Sequence, residues 1–189
     1  MKIKEYLIDN YLLNPEDKIN LFFFIGPDSG LTDQRVKTLC KTLRIDNNNP
    51  FNVSRIDQNE LEKNPTKLLD ESLTYSLDTE NRIVLLKIYS ENIPTSVVKS
   101  IKDLISHFPL KDTKVIISAR NLSLTLPLVK HINDNVFCNT VVSYQKSAKS
   151  LQTEIIYVFS QEGIKITDDA LKLLESNLGD NQLNTKRTL

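Results

Sequence analysis

The chain has 189 residues, of which 40% are hydrophobic and 25% charged, and its 24 Lys and Arg are balanced by 24 Asp and Glu. That is chain enough for one ordinary domain with a small appendage, in the composition of a soluble globular protein. A net charge of zero excludes a global field drawing the chain to nucleic acid or to an anionic membrane.

The N-terminus, MKIKEYLIDNYLL, is too polar for a signal peptide, and no apolar run approaches a membrane span. The expected location is cytoplasmic, with no membrane partner. Ile3, Tyr6, Leu7, Leu12 and Leu13 fit a short helix or an edge strand before Asn14-Pro15. Leu21–Ile25 is a continuous apolar run and predicts a buried strand. Gly26-Pro27-Asp28-Ser29-Gly30 makes a turn after it. Val36, Leu39, Cys40 and Leu43 then recur at helical spacing, with Thr32 or Asp33 placed to cap the helix. Asn47-Asn48-Asn49-Pro50 breaks it.

Phe51–Ile56 predicts a second strand, and Asp57 with Glu60 a capping box. Asn64-Pro65 predicts a helix start, the helix running toward Ser76 with Leu69 and Leu73 inward. Arg82–Tyr89 is the strongest strand and apolar enough to be central. Pro94 opens an amphipathic helix carrying Val97, Val98, Ile101, Leu104, Ile105 and Phe108. Lys114–Ala119 is a strand, Pro127–Ile132 a short helix and Val136–Val142 a last strand. Strands alternating with helices predict a parallel sheet covered on both faces.

From residue 144 the pattern is helical only. Leu151, Ile155, Val158 and Phe159 form one stripe, stopped by Gly163. Thr167 caps a second helix with Leu171, Leu174 and Leu178, stopped by Gly179. The last residues, Thr185-Lys186-Arg187, read like the opening of a further helix.

Strand, glycine turn and helix over Asn20–Leu43 have the shape of a phosphate-binding loop. The chemistry differs. Counted from Gly26, the last three signature positions, which should hold glycine, lysine and a metal-binding hydroxyl, hold Leu31, Thr32 and Asp33. A carboxylate there repels a triphosphate. The strand Arg82–Tyr89 runs into Ser90-Glu91-Asn92 and carries Lys87, without the acidic pair a hydrolase needs for magnesium and water. No catalytic residue, metal or cofactor is expected.

The other reactive side chains have plainer readings. Cys40 and Cys138 sit in apolar patterns and read as buried thiols, and no cysteine–histidine cluster suggests zinc. His107 and His131 lie beside helical stripes, with surface roles. Arg120, at the end of a strand, reads as an ion-pair or helix contact. Leu77, in Thr74-Tyr75-Ser76-Leu77-Asp78, is either a core leucine closing its helix or an exposed anchor for a partner's pocket.

The segments FFFIGPDSGL, NPFNVSRID, the Ser-Leu pair before the central strand, and ALKLLESNLGDNQL together resemble the delta subunit of bacterial DNA polymerase III. The resemblance runs from about Leu21 to the C-terminus. It implies a AAA+-like (P-loop NTPase-like) α/β domain over residues 1–143 with a degenerate phosphate loop at Gly26–Gly30, and part of a helical lid over 144–189. The family's C-terminal collar domain would lie beyond. The implied function is that of a clamp-loader subunit. It binds and opens the sliding clamp (beta), joins delta-prime and gamma/tau through the collar, meets DNA only within the complex, and leaves ATP to other subunits. The family's clamp-binding tip matches Ser76 and Leu77. Asp78 stands where the family carries an aromatic, and burying that carboxylate in an apolar pocket would cost several kcal/mol unless it is paired. The alternatives are a divergent nucleotide-binding P-loop enzyme, a DNA-binding module, or a truncated delta fragment without function.

Overall fold

Every residue of Leu21–Gly26 is buried, and this strand (β1) organises the fold. The computed structural model describes residues 1–43, 52–74, 82–120, 122–144, 155–156, 159–160, 163–164 and 166–178. Four further strands, β2 (Val53–Asp57), β3 (Arg82–Ile88), β4 (Thr113–Arg120) and β5 (Cys138–Val142), complete a five-stranded sheet ordered β2-β3-β4-β1-β5. All its pairings are parallel. The continuous apolar run follows from that position, because a parallel strand flanked on both faces exposes neither side to water.

Alternate side chains of β1 enter opposite layers. Leu21, Phe23 and Ile25 pack toward helices α3 (Gln58–Lys63), α4 (Lys67–Leu73), α5 (Thr95–Ile105) and α6 (Pro127–Asp134) through Leu61, Leu68, Ile101 and Val129. Phe22 and Phe24 pack toward α1 (Ile8–Leu13) and α2 (Ser29–Thr42) through Leu12, Leu39 and Cys40. Each fully buried phenylalanine contributes about 1.5–3 kcal/mol of transfer free energy. The N-terminal segment extends the sheet by one bridge, Lys2 to Thr140. Asn20, just before β1, is 3% exposed and fastens the start of β4. Its Nδ2 donates to Leu110 O at 3.0 Å, and its Oδ1 accepts from Leu110 N at 3.2 Å.

Several boundaries differ from expectation, each for a local reason. Helix α2 starts at Ser29, not near Thr32, because Asp28 is the N-cap and Thr32 is buried inside the helix. Helix α4 starts at Lys67, after Thr66, and ends at Leu73, with Thr74 as C-cap. Leu73 does not point inward: it is 47% exposed, while Leu68 is fully buried. Strand β3 is internal, but the middle strand is β4. Val136 precedes β5 and is exposed. The capping box is present, with Asp57 Oδ1 accepting from Glu60 N at 2.9 Å.

In the C-terminal region, Ile155 is fully buried. Helix α7 (Asp168–Leu178) starts after Thr167, whose Oγ1 accepts from Ala170 N at 3.4 Å. The breaks at 47–50 and at Gly179 lie outside the described residues, as do Phe51, Leu151 and Val158. Among the described residues, no helix is long and apolar enough to cross a membrane.

Candidate functional site

In an open parallel sheet, ligands enter at the carboxyl ends of the strands where neighbouring connections leave on opposite faces. Here that place lies between β1, which feeds α2 on one face, and β4, which feeds α6 on the other. Gly26, Ser29, Thr32, Lys87, Ser118 and Arg120 surround it, and the space between them is about 10 Å³. That is the room one water molecule needs. A cleft of about 610 Å³ opens beside this crevice, sharing Asp33, Lys87 and Ser118.

The protein fills the crevice itself. Only Pro27 and Asp28 separate β1 from α2, so the chain has no loop to wrap around a phosphate. The buried Asp28 carboxylate accepts from Leu31 N through Oδ1 at 2.8 Å. A helix N-terminus attracts anions, and the Asp28 side chain already occupies that position. Two further amides are engaged: Thr32 N donates to Asp28 O at 3.0 Å, and Asp28 N to Ser143 O at 3.4 Å. Gly26 has φ +142°, and a Cβ on it would lie 2.1 Å from Ser143 O, so only glycine lets β1 turn here.

On the far side of the crevice the end of β3 is held by a side chain from α3. At the end of β3, where a hydrolase holds its acidic pair, Gln58 reaches over from α3. Its Oε1 accepts from Tyr89 N at 3.0 Å, Ser90 N at 3.1 Å and Ser90 Oγ at 2.9 Å. Lys87 pairs loosely with Asp33 at 3.8 Å, both nearly half exposed, a contact of little energetic weight. Arg120 is exposed at the mouth of the crevice and is in none of the ion pairs among the described residues. Arg35 braces the end of β5, donating through Nη1 to Val142 O at 2.9 Å and Ser143 Oγ at 3.1 Å. Burial lowers its pKa, and the carboxylates of Asp9, Glu5 and Asp28 oppose that shift.

The remaining candidates fall elsewhere. His107 is exposed past α5, with Nδ1 2.8 Å from Asp103 O, and His131 is exposed on α6. Cys40 and Cys138 are buried free thiols. Burial raises both pKa values, that of Cys138 to about 12. Among the described residues, no group of His, Cys, Asp and Glu could hold a metal ion.

Ser76, Leu77 and Asp78 lie outside the described residues. The residues that flank them do not. Thr74 and Arg82 both line a hollow of about 190 Å³ at the amino end of the sheet, together with Leu73, His107 and Lys111. Arg82 is ion-paired to Glu71. The Ser-Leu pair that actually closes α4 is Ser72-Leu73. Ser72 is buried, its Oγ donating to Leu68 O at 2.6 Å, while Leu73 faces solvent. The sequence held the signal, since ESLTYSLD contains Ser-Leu twice, but only the true end of α4 shows that Leu73 occupies the helix terminus. Gln58 gave no sequence signal, because its partners lie more than thirty residues away.

A parallel sheet in this order, with a phosphate turn closed by its own aspartate, defines a AAA+-like α/β module. Solved structures of that fold are similar in shape. The Bacillus subtilis DNA clamp loader delta protein matches with a TM-score of 0.58 and 17% identity, over 96% of this chain and 61% of that one. The Thermotoga maritima RuvB Holliday junction branch migration motor matches with a TM-score of 0.57 and 14% identity, over 98% of this chain and 60% of that one. A DNA polymerase III gamma subunit-related protein from Thermotoga maritima matches with a TM-score of 0.51 and 14% identity, over 82% and 52%. At such identities the likeness is one of fold. This chain spans about six tenths of the length of the first two. No curated protein sequence matches it. The family model for the DNA polymerase III delta subunit matches residues 9–145, and the chain belongs to that family.

Proposed function

We propose that this chain acts as a clamp-loader delta module: it binds the sliding clamp, favours the clamp's open form, and does not hydrolyse ATP. The observation that carries this reading is the phosphate turn closed by its own Asp28, in a chain that matches the delta family over residues 9–145. In this reading a family member whose phosphate loop lacks the lysine and the metal-binding hydroxyl works through contacts with other proteins. It can open a ring only by binding the open form more tightly than the closed one.

The docking element in this reading is the amino end of the sheet. Leu73 is an exposed apolar anchor at the helix terminus, and Ser76, Leu77 and Asp78 follow it in the connection to β3. Residues 144–189 serve as the first part of a lid, and partners such as delta-prime and gamma/tau are reached through a collar. DNA is met only within that assembly. Binding of the untagged chain to its sliding clamp, measured by surface plasmon resonance with and without ATP, tests the proposal. Binding that is indifferent to ATP supports it. Absence of binding, or binding that requires ATP, overturns it.

A further inference from the structure

Glu71, in the last turn of α4, and Arg82, the first residue of β3, are joined by an ion pair. The pair spans the base of the connection 75–81 and ties its two ends together. The β3 end is fixed. Arg82 is buried, its N donates to Asp112 O at 2.9 Å, and it lies in register with Thr113 of β4. The α4 end is the weaker one. Helix α4 has 7 residues, and a helix that short depends on tertiary contacts. Glu71 is half-buried and is followed by the buried Ser72 and the exposed Leu73.

The other polar contacts at this helix end stay within α4. Thr74 N and Oγ1 donate to Asp70 O at 3.1 and 2.7 Å, and Ser72 Oγ donates to Leu68 O at 2.6 Å. They close the last turn without orienting it on the sheet. The ion pair does orient it, at a cost. Arg82 Nε is buried and has no hydrogen-bond partner, and a buried donor without an acceptor opposes folding. Two apolar side chains of similar size would fill the same space without that penalty. What they would lack is direction, which a hydrogen-bonded charge pair supplies.

We propose that the Glu71–Arg82 pair is a strut that holds the end of α4, and with it Leu73, in the orientation that meets the clamp. Arg82 is then a positioning residue for docking. Its effect passes through Glu71 and not through contact with the clamp. The inference rests on the clamp-binding reading above. Without the strut the last turn of α4 takes several orientations, and the dissociation constant rises as the docking-competent fraction falls.

Surface plasmon resonance on the immobilised sliding clamp, with urea unfolding and amide hydrogen exchange on the free chain, tests this. The double variant Glu71→Met with Arg82→Met should unfold at a urea midpoint equal to or above that of wild type. It should bind the clamp about tenfold more weakly, as expected when the helix end is correctly oriented about a tenth of the time. Exchange at the Thr74 amide, bonded to Asp70 O in the last turn, should accelerate about tenfold while exchange in β1 stays the same. Arg82→Lys keeps a charged donor opposite Glu71 and should bind within about threefold of wild type. The inference is overturned if the double variant binds like wild type, or if affinity falls only in step with the urea midpoint. It is also overturned if binding is lost without faster exchange at Thr74, which would make Glu71 a direct contact. Failure of the wild-type chain to bind the clamp is a separate result. It overturns the clamp-binding reading itself, and the strut loses its function with it.

Discussion

The Asp28 carboxylate lies 2.8 Å from the Leu31 amide, across the first turn of α2, at the end of the helix where a phosphate would otherwise bind. Asp28→Ala removes this cap and should lower stability by about 1 kcal/mol in urea unfolding. It should not create a nucleotide site, because a methyl group restores neither the loop nor the missing lysine. A thermal-shift titration with ATP and magnesium should be flat for wild type and variant alike. An ATP-dependent rise in Tm for either would contradict the closed crevice.

Gly26→Ala should be far more damaging. The new Cβ would meet the Ser143 carbonyl oxygen at 2.1 Å, and the φ of +142° is itself a strain for alanine. Backbone strain alone costs about 1–3 kcal/mol. The clash also pushes β5 away from β1, where Ser143 N donates to Ile25 O at 2.7 Å. A loss of about 3 kcal/mol or more in urea unfolding is expected.

The sequence carried the α/β class because β1 is buried on both sides and therefore reads as an unbroken apolar run, while α5 places Val97, Ile101, Leu104 and Ile105 on one stripe. It also carried the absence of phosphate-loop lysine chemistry. It did not carry the cause of the closed crevice. That cause lies in contacts between distant segments, with Gln58 on the end of β3 and Ser143 against Gly26. The end of α4 was misplaced because Leu73 continues the helical spacing of Leu69. The helix stops when Thr74 turns extended, a change of backbone that periodicity does not register.

Alkaline pH should destabilise the fold. Burial raises Cys138 from 9.0 to about 12 and Tyr11 from 10.0 to about 12. Between pH 9 and 12 the unfolded chain sheds protons that the folded chain keeps, so stability falls as pH rises. It is at its full value below pH 9 with respect to these two groups. Urea midpoints measured from pH 8 to 11.5 should show the decline, and Tyr11→Phe should make it shallower. A midpoint independent of pH over that range would contradict the burial of both groups.

Gln58→Leu should loosen the end of β3 locally. The substitution removes one acceptor that serves Tyr89 N, Ser90 N and Ser90 Oγ together. Gln58 itself is 8% exposed, so water cannot replace its oxygen fully. A loss of about 2 kcal/mol is expected. Hydrogen exchange at the Tyr89 and Ser90 amides should accelerate more than exchange in β1.

Docking on the clamp should separate the two leucines of ESLTYSLD. Leu73 is half exposed at the end of α4, so Leu73→Ala should change stability by less than about 0.5 kcal/mol. If its side chain enters a clamp pocket, the same truncation should weaken binding about 30-fold, the effect of a central anchor worth about 2 kcal/mol. Leu77→Ala tests the neighbouring pair in the same assay, and Asp78→Phe should tighten binding by removing a carboxylate whose desolvation opposes docking. Loss with Leu73→Ala alone assigns the anchor to the helix terminus, and loss with Leu77→Ala alone assigns it to the connection that follows. If both truncations bind like wild type, the amino end of the sheet is not the docking element, and the proposed function loses its mechanism whatever the family of the chain.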